Sequence, residues 1–119
     1  MSRAETELGA VAASVFNRCI YCTAVHASRY NQLTKNASVI DSVFKLGENA
    51  DLDPRQLAIM RFATKLSKFP PEAEKEDVKL LIEAGLSKEE IFDLVLSASL
   101  FGWANRLMHT LGEPIAQDS

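Results

Sequence analysis

The chain carries two cysteines, three residues apart in Cys19-Ile20-Tyr21-Cys22, and His26 follows four residues after the second. On a helix, offsets of three and seven from Cys19 put the three side chains along one face, with Cys22 and His26 one turn apart. A thiol reacts as its thiolate, and a helix N-terminus, a neighbouring base and a second thiol at CxxC spacing each favour that form. The pattern therefore describes an activated dithiol. Peroxide turns one thiol into a sulfenic acid; a second thiol within reach then condenses with it, releases water and spares it from irreversible over-oxidation. A histidine serves such a site as a base when a third group orients it. Glu7 is the natural orienter: it lies twelve residues before Cys19, and a tight turn at Asn17-Arg18 would bring it opposite His26 in an antiparallel helix pair. Glu5 competes for that role but is expected in a capping box. Which cysteine meets the peroxide stays open, because a helix dipole favours whichever lies nearer the N-terminus.

Helices must hold these groups, and the rest of the chain reads as all-α. No run alternates apolar and polar residues long enough to argue a strand. Ser2 with Glu5 is a capping-box signal for a first helix through Leu8, Val11, Ala12 and Val15, ending near Asn17. A second runs from Ile20 to Leu33. Asn36 or Ser38 caps a third through Val39, Ile40, Val43, Phe44 and Leu46, with Gly47 at its C-terminal turn. Asp53-Pro54-Arg55-Gln56 opens a fourth, which ends before Pro70-Pro71. A fifth spans Glu74 to Ala84 before Gly85, and Ser87 with Glu90 caps a long sixth reaching Leu111. That makes about six helices in a single domain over residues 1–119, with a polar tail expected from about residue 113. In the sixth helix, Phe92, Leu94, Val95, Leu96, Leu100, Phe101, Trp103, Leu107 and Met108 surround the axis rather than form one stripe. So small a chain has too few other helices to cover it, so part of it is expected in a subunit interface. Phe101, Trp103 and Met108 are read as packing residues, His109 as a helix C-terminal residue complementing the dipole, and Lys65, Lys68 and Lys88 as solvated.

Composition narrows the partners. With 119 residues, 47% hydrophobic and 24% charged, the balance is that of a globular domain. Thirteen basic against sixteen acidic residues give a net charge of −3, with no basic field of the kind that binds nucleic acid. The longest charge-free apolar stretch, Leu94 to Asn105, is far short of a membrane span, and the N-terminus lacks a signal peptide's apolar core. The expected compartment is the cytoplasm, where both cysteines rest as thiols.

The string Glu7, eleven residues, Cys19-x-x-Cys22, three residues, His26 resembles the active-site signature of the AhpD-like alkylhydroperoxidases, within the carboxymuconolactone decarboxylase superfamily. Asn17-Arg18-Cys19-Ile20-Tyr21-Cys22, Ile91-Phe92-Asp93-Leu94-Val95-Leu96 and Asn105-Arg106-Leu107 resemble the peroxidase-related branch. The resemblance runs from Ser2 to about Gly112. It implies an all-helical fold, a thiol peroxidase activity without metal or cofactor, and assembly as a homotrimer or homohexamer. By the same resemblance Cys22 attacks the hydroperoxide, Cys19 donates a proton and resolves the sulfenic acid, and Glu7 with His26 forms a proton relay. A dithiol or a thioredoxin- or lipoyl-type protein would return the electrons. Tyr21 stands where some members have a histidine, and members commonly carry a further helical segment before the signature.

Three other readings compete. Cys19, Cys22 and His26 with His109 or Glu7 could make a tetrahedral zinc site, although structural zinc sites more often use two separated ligand pairs. A thiol-disulfide adaptor, or an oligomeric module without catalysis, would use the CxxC pair and react poorly with peroxide. Decarboxylation, known in relatives of the superfamily, gives the CxxC no part.

Overall fold

Side chains that satisfy the free N–H groups of the first helical turn set most of the boundaries. In the computed structural model, which describes residues 1–112, Ser2 Oγ accepts from the Glu5 N–H at 3.1 Å and the Glu5 carboxylate accepts from the Ser2 N–H at 2.8 Å. That reciprocal pair opens α1 (Arg3–Phe16). Cys19 stands at the N-cap of α2 (Ile20–Thr34). Before α3 (Ser38–Leu46), Asn36 makes the side-chain bond, its Oδ1 accepting from the Ser38 N–H at 2.9 Å. Gly47 ends that helix at φ +57°, where a side chain would be strained, and a single 3₁₀ turn follows. Asp53 and Gln56 box the start of α4 (Pro54–Ser67), with Pro54 at the first helical position. Helix α5 (Lys75–Glu83) is one residue shorter at each end than expected, with Glu74 and Ala84 as its caps. Ser87 and Glu90 box α6 (Lys88–Leu111). Among the described residues there are six α-helices and no strand, and the fold is all-α. The tail expected from residue 113 lies outside the described residues.

α1 is the centre of the bundle. Leu8, Ala10, Val11 and Ala13 are wholly buried, and the helix packs against α2, α4 and α6. Its small residues let those neighbours approach closely, which suits a chain with little apolar volume to spend. One apolar cluster joins Leu8 and Val11 to Ala27, Tyr30, Ile40, Val43, Met60 and Ala98. A second, of Ile59, Phe62, Leu81, Leu86, Ile91 and Leu94, ties α4, α5 and α6 together. The Lys65 side chain is open to solvent, as expected, and its ammonium also reaches the largely buried Asp77 at 2.8 Å, linking α4 to α5.

α6 is buried along one face only. Ile91, Leu94, Ala98, Gly102 and Asn105 face inward, whereas Phe92, Leu96, Leu100, Trp103 and Leu107 form a stripe on the other side, with Trp103 56% exposed. Within the chain it packs chiefly against α1, α4 and α5, and its Phe101 touches His26 of α2. No helix among the described residues is long and apolar enough to cross a membrane.

Candidate active site

The turn that joins α1 to α2 brings the chemistry together. Asn17 caps α1 through its N–H on the Ala13 carbonyl, Arg18 takes the left-handed conformation at φ +58°, and the Cys19 N–H donates to the Ser14 carbonyl at 3.0 Å. A non-glycine residue in that region is uncommon, and here it reverses the chain within two residues. Helix α2 therefore starts at Cys19 and runs back along α1. As N-cap, Cys19 receives the Cys22 N–H on its Sγ at 3.3 Å, where the helix dipole favours negative charge on sulfur.

Cys19 and Cys22 are joined as a disulfide, with a Cα–Cα distance of 5.3 Å, inside the range such a bond requires. The thiols expected of a reducing compartment are thus seen in their oxidised form. Both are buried, at 3% and 6% exposure.

One turn beyond Cys22, His26 Nδ1 lies 2.7 Å from Glu7 Oε2. The carboxylate oxygen can only accept, so Nδ1 donates, and in the neutral ring the lone pair a base needs then sits on Nε2. Phe101 of α6 packs on the imidazole with ring centres 4.6 Å apart. Glu5 is occupied elsewhere: Arg55 donates to its carboxylate through Nε and Nη2, and Arg55 Nη2 also reaches Glu90 at 3.1 Å. Burial pushes the Glu5 carboxyl up, but the bonds from Arg55 and Ser2 outweigh it and hold the group below its ordinary value. Of the two candidate acids, it is Glu7 that stands beside His26.

Two grooves flank this stretch of α2. One is lined by Glu7, Tyr21, Val25, His26, Arg29 and Gln32. The other, of about 520 Å³, is apolar and is lined by Val15, Cys19, Ile20, Val43 and Phe44 with Arg18 at its edge. Of the two cysteines, Cys19 lines the apolar groove.

Two residues of this region, Ser14 and Asn105, are given no part at the site by the sequence. Asn105 is wholly buried, its Nδ2 donating to Ser14 Oγ at 3.2 Å and its Oδ1 accepting from Asn17 Nδ2 at 3.1 Å. The signal available for it is the helix's one amide side chain, in line with Leu94, Ala98 and Gly102 on the buried face. His109, read as a dipole-complementing residue, donates from Nε2 to the Asn17 carbonyl instead. The nitrogen offered to zinc is spent there, and the two sulfurs are bonded to each other. Among the described residues, no group of three or more His, Cys, Asp or Glu side chains is placed to hold a metal ion.

Residues 1–65, more than half of the chain, match the Carboxymuconolactone decarboxylase family. The chain belongs to this family. Solved structures place it in the peroxidase-related, AhpD-like part of the superfamily. An uncharacterized peroxidase-related protein from Ralstonia eutropha JMP134, described as an alkylhydroperoxidase AhpD core, is 32% identical over 97% of this chain, with a TM-score of 0.85. An uncharacterized peroxidase-related protein from Silicibacter sp. TM1040 is 28% identical over 92% of this chain, with a TM-score of 0.83. The chain spans 61% and 58% of those two proteins. No curated protein matches it significantly.

Proposed function

We propose that this chain is a thiol peroxidase of the alkylhydroperoxidase type, which reduces hydroperoxides through a Cys19–Cys22 dithiol/disulfide cycle with a Glu7–His26 proton relay. The observation that carries this reading is the Glu7–His26 contact at 2.7 Å, one helical turn from a bridged cysteine pair. In the reduced protein the Cys22 thiolate attacks the outer oxygen of the hydroperoxide, and the O–O bond breaks. The alcohol leaves with a proton from the relay, and Cys22 becomes a sulfenic acid. The Cys19 thiolate attacks that sulfur, hydroxide leaves as water after taking a proton, and the disulfide forms. A dithiol, free or carried by a thioredoxin- or lipoyl-type protein, restores both thiols and leaves as its own disulfide. The order of the two cysteines rests on the family signature.

The same reading takes residues 1–119 as one AhpD-like domain acting in the cytoplasm, where dithiols are abundant. It assigns the exposed stripe of α6 to contacts with further copies, as a homotrimer or homohexamer, because water around five large apolar side chains is costly. The test is stoichiometric. Anaerobically reduced protein mixed with one equivalent of an organic hydroperoxide should lose two thiols per chain, and Cys22→Ser should form no disulfide. Thiols that persist in the wild type while a disulfide-bearing protein oxidises them would favour the adaptor.

A further inference from the structure

Helix α6 contributes a buried amide to the turn that carries Cys19, and its two hydrogen bonds grip that turn from both ends. Asn105 Nδ2 donates to Ser14 Oγ, and the carbonyl of the same Ser14 accepts the Cys19 N–H at 3.0 Å. Asn105 Oδ1 accepts from Asn17, the residue before Arg18. Ser14 and Asn105 are both wholly buried, so each polar atom of the seam is costly to leave unpaired. Arg18, at φ +58°, lies between the held Asn17 and Cys19, whose N–H is tied to the Ser14 carbonyl, and that conformation is one an arginine does not choose by itself. The seam is therefore placed to hold the left-handed reversal that sets Cys19 at the N-cap.

We propose that Asn105 is a positioning residue for the redox site: by holding Ser14 and Asn17 it keeps Cys19 Sγ on the Cys22 N–H and so favours the Cys19 thiolate. The proposal rests on the reading of Cys19 and Cys22 as a redox pair. It does not depend on peroxide being the oxidant. The titratable and charged groups around the turn are Arg18 within it, His26 on α2, Glu7 on α1, and Arg106 and His109 on α6. On the α3 side the groove contributes Val43, Phe44 and Gly47, none of which is charged. None of the charged groups is altered by changing Asn105 or Asn17, so a moved titration reports the turn.

The test measures the rate of Cys19 alkylation against pH in a Cys22→Ser background, which keeps the backbone N–H at position 22 and leaves one thiol. Asn105→Leu keeps the burial and removes both hydrogen bonds. It should slow alkylation at pH 7 about threefold and move the midpoint of the profile upward, the size expected for a lost helix-terminal interaction. Ser14→Ala should give part of the effect and add little when combined with Asn105→Leu, since both cut one link. Asn17→Ala, changed at the edge of the turn, keeps the proposal testable if Asn105→Leu does not fold. An unchanged pH profile in folded Asn105→Leu or in Asn17→Ala, whatever the change in melting temperature, overturns the positioning role and leaves Asn105 a packing residue. Peroxidase activity is not read in this experiment, so its outcome is separate from the fate of the peroxidase reading.

Discussion

At the scale of single residues, the site turns on one carboxylate and one imidazole. In the proposed relay, the Glu7 carboxylate 2.7 Å from His26 Nδ1 orients the ring and would stabilise the imidazolium formed when the ring takes a thiol proton. Glu7→Gln removes that charge while keeping the shape, so Cys22 alkylation at neutral pH, followed in a Cys19→Ser background, should slow about tenfold. An unchanged rate would remove Glu7 from the relay. Much of this was readable from spacing: Cys19, Cys22 and His26 share a helix, where offsets of three and four fix proximity. Glu7 was reachable only because Asn17-Arg18 read as a tight turn. The parts of Asn105 and Ser14, and the bond from His109 to the Asn17 carbonyl, are not legible in the sequence, because these bonds join positions about 90 residues apart, and no local pattern reports such a pairing.

At the scale of elements, caps and packing define what can be lost. Leu94 is wholly buried between α6 and its neighbours, and Leu94→Ala should cost about 2–5 kcal/mol in a denaturant titration through lost burial and a cavity. The Lys65–Asp77 pair adds an acid-sensitive link between α4 and α5. The hydrogen bond from Lys65 lowers the Asp77 carboxyl below its ordinary value, so the folded state holds this proton less tightly than the unfolded chain. The stabilisation is present above the unfolded value, near pH 3.8, and is lost as pH falls through the lower folded value. Asp77→Asn should accordingly melt below the wild type at pH 7, and the gap in melting temperature should close as the pH drops under 4. A gap that stays constant to pH 2 would contradict the assignment. Helix starts were readable in detail because Ser2, Asp53 and Ser87 each precede Glu or Gln by three residues. The Lys65 side chain is open to solvent as its sequence reading expects, but its salt bridge to a residue twelve positions on is not legible there, since it depends on how α5 folds back.

At the scale of the molecule, the described chain is compact, with a radius of gyration of 14.0 Å, yet it exposes Phe92, Leu96, Leu100, Trp103 and Leu107 in one line. The apolar residues that encircle α6 in sequence announced more burial than one chain can provide. Sequence periodicity does not say which side is covered from within; the packing of α1, α4 and α5 does. Light scattering should find an assembly larger than one chain, and Trp103→Glu should shift it towards the monomer. A wild-type monomer at micromolar concentration would remove the interface. The central claim concerns turnover of peroxide and is tested most directly by the steady-state consumption of an organic hydroperoxide, with purified protein and a dithiol reductant in excess. The account predicts catalytic consumption by the wild type and a loss to background in Cys22→Ser; wild-type consumption no faster than that of Cys22→Ser would contradict it.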